Sequence, residues 1–371
     1  MRHGIAEVVA QHQVVICAGS GGVGKTTTAA ALGLHGAQQG RRTVVLTIDP
    51  ARRLADALGL REIGNEPSAV DLPAPGSLSA MMLDQKGAWD HLVARYAPSE
   101  EVRERILANS FYQHLSQSFA GSQEYMAVEQ LAELHDNGGY DLIVVDTPPT
   151  RHALDFLEAP QRISDFLSRD VVRWFVRPYF SAGWTTFRFV NRTVGALARR
   201  LEEATGIEAL VDISDFFASM GGLFDGFEDR VRAVYELLRS PKTAFVLVAS
   251  PDEQVLSEAK YFFGKADELS IRLRAVVFNR VHRKSELARR PGDKEWMRGL
   301  VERAVAMKPR ADALVDNFFR YETQARGDDL RIQAFRDQLP AGTPVVTVPN
   351  FDEDLHDLSG LHRMLPHLVG E

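Results

Sequence analysis

Short apolar runs rich in β-branched residues recur along the chain, and each stops at a Gly-, Pro- or Asp-bearing turn before a longer stretch with helical spacing begins. Val14-Val15-Ile16-Cys17-Ala18 runs into a Gly/Ser cluster, and an Ala/Leu-rich segment follows from Thr26 to about Gln39. This reads as strand, Gly-rich loop and helix. A second strand is predicted from Thr43 to Ile48, ending at Asp49-Pro50, where proline forces the chain out of a sheet. Ser79 to Leu83 reads as a short strand ending at Asp84, and residues 85–137 carry helical spacing, most clearly from Ser99 onward. Leu142 to Val145 is continuously apolar, as in a strand covered on both faces of a parallel sheet, and it ends at Asp146. Residues 244–249, 275–278 and 345–348 repeat the pattern. About seven strands alternating with helix-length segments predict an α/β fold with a mostly parallel sheet flanked by helices. Residues 151–240 break the alternation with helical spacing and no strand, so a helical insertion subdomain is expected inside a single domain spanning 1–371.

Composition narrows the picture without redirecting it. At 371 residues, 45% hydrophobic and 25% charged, the chain is long enough to bury a substantial core. With 43 basic and 50 acidic residues the formal charge is −7, which argues against a surface built to grip nucleic acid, and no nucleic-acid partner is expected. A single cysteine, Cys17, leaves no internal disulfide and no multi-cysteine metal site. It is expected to pack in the first strand as a small hydrophobe. No apolar run reaches the ~20 residues of a spanning helix, Pro366 interrupts the last amphipathic segment, and the N-terminal residues lack the apolar stretch of a signal peptide. A cytoplasmic location is the expectation, with peripheral membrane association left open. His356, His362 and His367 have no ligand-like spacing and read as surface residues, while Asp352, Glu353 and Asp354 read as the start of the last helix.

The chemistry concentrates at Gly19-Ser20-Gly21-Gly22-Val23-Gly24-Lys25-Thr26, which satisfies GxxxxGK[ST] between a predicted strand and a predicted helix. Glycines let successive N–H groups converge on phosphate oxygens, and the helix N-terminus adds favourable partial charge. Lys25 is placed to reach β- and γ-phosphates, and the Thr26 hydroxyl to ligate Mg²⁺. Asp146 ends the most apolar strand, as a carboxylate does when it orients a Mg²⁺ shell. Asp49 lies 24 residues beyond Lys25 at a strand end, where it either orients an attacking water or serves an ordinary turn role before Pro50.

These motifs resemble the ArsA-type anion-transporting ATPases, a family of P-loop NTPases that includes the arsenite-pump ATPase and the ATPase that targets tail-anchored membrane proteins. The resemblance rests on Gly21-Gly22-Val23-Gly24-Lys25-Thr26-Thr27, Asp49-Pro50-Ala51, Asp146-Thr147-Pro148-Pro149-Thr150-Arg151-His152, Phe278-Asn279-Arg280 and Val348-Pro349. It implies a Mg²⁺-dependent ATPase in which Asp49 positions the hydrolytic water and residues 146–152 sense the γ-phosphate. It further implies that Asn279 reads the adenine and that the loop after Pro349 closes over the base. Three departures stand out. The family usually has lysine where this chain has Ser20, a residue that reaches a dimer partner's phosphates. Arg52-Arg53 and Arg151 occur where His, a small polar residue and Gly are usual. These arginines either supply the missing positive charge or sit as solvated surface residues. With Cys17 alone, arsenite transport is not expected.

Between Trp174 and Phe189, 16 residues hold seven aromatics: Trp174, Phe175, Tyr179, Phe180, Trp184, Phe187 and Phe189. Residues 171–200 contain six arginines and no Asp or Glu, a local inversion in an acidic chain. Such a block either takes up a hydrophobic protein segment or a membrane surface, or forms the subdomain's own core with a wet basic face. Phe216, Phe217, Phe224 and Phe227 extend it. Three functions follow in order of expectation. The first is an ATPase whose homodimer, or heterodimer with a related ATPase subunit, opens and closes on a hydrophobic or membrane-associated partner. The second is a nucleotide-gated, chaperone-like binding protein with little intrinsic hydrolysis that needs a paralogous subunit. The third is a positioning ATPase on membrane or DNA.

Overall fold

The apolar runs fold as β1 (Val14–Ala18), β2 (Arg42–Thr47), β3 (Ser68–Ala69), β4 (Ser77–Met82), β5 (Leu142–Asp146), β6 (Thr243–Ala249), β7 (Leu273–Val281) and β8 (Val345–Pro349). They form one sheet in the order β3-β4-β2-β5-β1-β6-β7-β8. Pairing is parallel from β2 through β8, and β3 is antiparallel to β4. Strand β3 was not expected: it is only two residues long and carries no apolar run of its own. Asp49, expected at a strand end, lies beyond one. Strand β2 in fact closes at Thr47, because the chain turns there and the Asp49 N–H donates to the Thr47 hydroxyl at 3.2 Å. The computed structural model describes residues 4–49, 51–118, 122–147, 212–213, 215–216, 219, 224–285, 294–304 and 311–370. The chain divides into two units, residues 1–81, 139–153 and 241–371, and residues 82–138 and 154–240.

In the first unit, helices α1 (Ile5–Gln11), α2 (Lys25–Gln38) and α3 (Arg53–Leu58) accompany the sheet's first strands. Helix α2 carries the phosphate-loop motif at its start, and its seating fixes where that loop points. Its apolar face is Ala-rich, and a Cβ on Gly33 or Gly36 would come within 2.5 Å of Val45 or Leu142. Only a helix stripped of side chains there can lie this close to β2 and β5. Residues Ala29, Ala30, Ala31 and Leu32 are fully buried beside Val15, Val45 and Val144 in one apolar cluster.

The second unit contains α4 (Gln85–Tyr96), α5 (Glu100–Ala108), α6 (Ser110–Ser118), α7 (Ser122–Asp136) and α8 (Phe224–Arg239). Asp84 caps the start of α4 by accepting the Gly87 N–H, and within the long predicted helical stretch Ser99 starts a new helix, α5, by accepting the Val102 N–H. Trp89, Tyr112 and Tyr125 are buried, and Phe216 stacks on Tyr112 with ring centroids 6.3 Å apart. Phe216 therefore belongs to this unit's own core. The aromatic block from Trp174 to Phe189 and the six arginines of residues 171–200 lie outside the described residues.

The chain returns to the first unit with α9 (Glu253–Glu268), α10 (Lys294–Ala304), α11 (Ala311–Arg336) and α12 (Leu358–Val369). Two expectations about α12 are corrected. It begins at Leu358 with Asp357 as its cap, accepting the Gly360 N–H at 2.7 Å, so Asp352, Glu353 and Asp354 lie in the preceding loop. The helix also continues through Pro366. The lost hydrogen bond is outweighed by burial of Leu361, Met364, Leu365 and Leu368 in the first unit's core. Among the described residues no helix is long and apolar enough to cross a membrane.

An ion-pair network joins two helices of the second unit. Arg230 of α8 donates through Nε to both oxygens of Glu129 of α7, at 2.8 and 2.9 Å, and through Nη1 to Asp136 at 2.7 Å. Arg230 and Glu129 are both over nine-tenths buried. Removing one partner leaves a desolvated charge, whereas replacing both by apolar groups does not. Arg230→Ala is expected to lower unfolding stability by about 3–5 kcal/mol in urea titration, and Arg230→Met combined with Glu129→Leu by less than half as much.

Candidate functional site

Strand β1 ends at Ala18 between β5 and β6, where the order of the sheet reverses, and its carboxyl end releases the chain into the phosphate loop. Gly22 (φ 74°) and Gly24 (φ 93°) adopt the left-handed conformation that side-chain-bearing residues avoid, which turns the loop back onto the start of α2. Lys25 opens the helix and is buried, its ammonium donating to the Ser20 carbonyl at 2.8 Å. Burial lowers its pKa, while Asp146 and Asp49 pull it back up.

Asp146 sits completely buried at the end of β5. Its Oδ2 accepts hydrogen bonds from the Thr26 hydroxyl at 2.7 Å and the Thr47 hydroxyl at 3.0 Å. Burial pushes its carboxyl up to about 6, against the two hydroxyls and Lys25, which favour the ionised form. The other oxygen, Oδ1, is buried with no protein donor among the described residues. A buried acceptor left open beside the Thr26 hydroxyl is the donor set a hard oxygen-seeking cation takes up, so the residues present fit Mg²⁺. Among the described residues no group of three or more His, Cys, Asp or Glu is placed to hold a metal. A Mg²⁺ here would draw the rest of its shell from water and phosphate.

Asp49 faces the same space. Its Oδ1 accepts the Ala51 N–H at 2.9 Å, and its Oδ2 lies 3.6 Å from the Arg53 guanidinium. The two neighbouring arginines part company: Arg53 turns into the cleft, whereas Arg52 pairs with Glu62 at 3.2 Å in solvent. Arg151 lies outside the described residues. Ser20 carries no charge into the site. Its hydroxyl donates to Glu258 of α9 at 2.5 Å.

Lys25, Thr26, Asp49 and Arg53 line one cleft of about 500 Å³ in the first unit, within the size range of small-molecule sites. Its floor is Gly22, Gly24, Lys25, Thr26 and Thr27. Asp49, Arg53 and Thr147 form one side, and Asn279, Pro349 and Phe351 the opposite side. Gly21 is exposed at the loop tip, Val23 turns its side chain into the core, and Asp146 lies directly beneath Thr26. Cys17 is buried in β1 as anticipated. Burial, reinforced by the neighbouring Asp146, pushes its thiol far above the usual range.

Two further residues belong to the site without a signal in the sequence: Thr47, whose hydroxyl shares Asp146 with Thr26, and Glu258, which accepts from Ser20. Both are visible only once strands and helices are placed side by side. Glu353 and Asp354, expected in a helix start, lie instead on the cleft lining in the loop after β8, together with His356, which is exposed as expected.

The sequence profile described as Anion-transporting ATPase matches residues 12–291, which include every residue of the cleft floor. The ATPase GET3 of Malassezia globosa is 27% identical over 268 residues, covering 72% of this chain and 72% of the relative. The ATPase ASNA1 homolog 1 of Paramecium tetraurelia is 27% identical over 271 residues, covering 72% and 74%. The putative arsenical pump-driving ATPase 1 of Aquifex aeolicus is 24% identical over 275 residues, covering 72% and 63%. With the profile spanning most of the chain and the phosphate loop seated between β1 and α2 as the motif requires, this protein belongs to the ArsA-type anion-transporting ATPase family and is an ATPase.

Proposed function

We propose that the chain hydrolyses ATP with Mg²⁺ at the cleft above α2. In this reading it couples the cycle to the opening and closing of a dimer that acts on a hydrophobic or membrane-associated partner. The observation that carries the catalytic part is the convergence of Lys25, Thr26 and Asp49 on one cleft with Asp146 buried beneath Thr26. In this reading the loop N–H groups from Gly21 to Thr27 receive the phosphates. Lys25 exchanges its bond to the Ser20 carbonyl for β- and γ-phosphate oxygens. Thr26 and Asp146 would hold Mg²⁺, which when bound would supply positive charge against the phosphates. Asp49 orients a water whose oxygen bonds to the γ-phosphorus as the bond to the β,γ-bridging oxygen breaks. ADP keeps that bridging oxygen, and the water protons are shared between the released phosphate and solvent. Asn279 and Pro349 flank the base.

The switch follows from the same geometry. Asp49 lies just beyond β2 and Thr147 just beyond β5, so a γ-phosphate between them would draw both loops inward and its loss would release them. For the partner, the reading rests on the aromatic, basic sequence of residues 171–200. A peripheral membrane location would follow from the same block.

One observation favours the second reading, a nucleotide-gated protein completed by a paralogous subunit. Position 20 brings a serine tied to Glu258 in place of a cation. A transition state with charge spread over the γ-phosphoryl oxygens needs that charge from somewhere.

Steady-state hydrolysis by the purified protein separates the two readings. Asp49→Asn is expected to lower turnover about 10²-fold or more while ADP affinity stays within about threefold. ATP binding without turnover in the unmodified chain would instead support the partner-dependent reading. For residues 171–200, Trp184→Glu with Phe187→Glu is expected to weaken binding to anionic liposomes and to a hydrophobic tail peptide by about tenfold or more. Unchanged binding in both assays would reassign the block to the subdomain's own core.

A further inference from the structure

Strand β7 does not run straight past β8. Their register holds from Val276 opposite Val345 to Phe278 opposite Thr347 and then slips before Val281 meets Pro349. Within the slip, Arg280 adopts a left-handed backbone (φ 59°) without being glycine. Bulges and strained residues of this kind re-aim a side chain where function requires it. The side chain re-aimed here is Asn279, which is over nine-tenths buried and points at the phosphate loop.

Its amide is oriented by its own strand. The Arg280 N–H donates to Asn279 Oδ1 at 3.0 Å, which leaves Nδ2 on the other side to donate to the Val23 carbonyl, also at 3.0 Å. The pairing settles which end is oxygen and which is nitrogen, because the two partners differ in kind, a donor and an acceptor. The contact with the loop is tight. A Cβ built on Gly24 would lie 2.2 Å from Asn279 Nδ2, so the glycine needed for the backbone turn is needed again for this approach. The peptide so held, Val23–Gly24, immediately precedes Lys25 and Thr26 and sets the direction of the first N–H groups of α2.

We infer that Asn279 is a positioning residue for the phosphate loop: it holds the Val23–Gly24 peptide from the β7 bulge, so that the loop is shaped for phosphate before any base arrives. The inference rests on the proposed reading of the cleft as a nucleotide site. It goes beyond a base contact, because an amide has two donors and two acceptor positions and only one of each is committed here. One side chain thus bridges the base side of the cleft and its phosphate floor. Loss of the Nδ2 donor strands the Val23 carbonyl and loosens the loop for every phosphate ligand, whether or not it carries a base.

The test compares a ligand with a base to one without. Calorimetric affinities for ADP and for inorganic pyrophosphate, both with Mg²⁺, are measured on the full chain, on Asn279→Ala and on the near-isosteric Asn279→Asp. The expected result is a loss of about tenfold for both ligands in both variants. Pyrophosphate affinity kept within about twofold while ADP affinity falls would confine Asn279 to the base and overturn the inference. Unchanged affinity for both ligands would overturn it too. If the unmodified protein binds neither ligand, the nucleotide-site reading itself fails, an outcome distinct from the other two. Amide hydrogen exchange of the ligand-free proteins supplies the readout that a purely structural role would leave unmoved. Exchange at Gly24 and Lys25 is expected to quicken in the variants while that of β7 and α2 beyond its first turn holds. No local change would count against the inference, and Asn279→Asp keeps the measurement in hand if Asn279→Ala does not fold.

Discussion

A carboxylate in the dry interior of a parallel sheet is tolerable only with donors arranged around it, and the first unit is organised around that requirement at Asp146. Its position is fixed by β5, but its donors come from elsewhere. Thr26 belongs to the first turn of α2 and Thr47 to the last residue of β2. The hydroxyls therefore tie three elements together at the carboxyl edge of the sheet. Because α2 must present Thr26 at that point, the helix has to lie close to β2 and β5, and Gly33 and Gly36 permit it. The phosphate loop is then the short path left between the end of β1 and the start of α2.

The electrostatics follow from the same burial. Lys25 and Asp146 lie close enough to influence each other's titration, yet their hydrogen bonds are to other groups: Lys25 donates to the Ser20 carbonyl and Asp146 accepts from two hydroxyls. Among the described residues neither forms a direct ion pair. A lysine held by a backbone carbonyl exchanges that neutral partner for phosphate oxygen more readily than it would abandon a carboxylate. The Asp146 oxygen without a donor among the described residues is the complementary case, an acceptor not yet committed. The site is thus preorganised with both polarities kept in reserve.

Much of this was legible in the sequence, for identifiable reasons. Strands buried on both faces announce themselves as continuous apolar runs, so β1, β2, β5 and β6 could be located to within a residue or so, and the Gly-rich loop followed from its motif. What could not be read were features that arise from packing between distant segments. The two-residue β3 exists because β4 lies beside it, Thr47 matters because β5 brings Asp146 opposite, and Asn279 reaches Val23 because of a bulge without local signature. Helix α12 departs from local expectation at two points. Its start follows the cap at Asp357, and its passage through Pro366 is set by four buried apolar residues.

Cys17 carries a last consequence. It is the chain's only cysteine, it is the penultimate residue of β1, and its thiolate is disfavoured by burial and by the charge of Asp146. Alkylating reagents act on accessible thiolates, so the native fold offers them no target. A cysteine introduced at any exposed position would then be the single reactive sulfur of the molecule, and a dye or spin label placed there would report on one chosen site without first rebuilding the core.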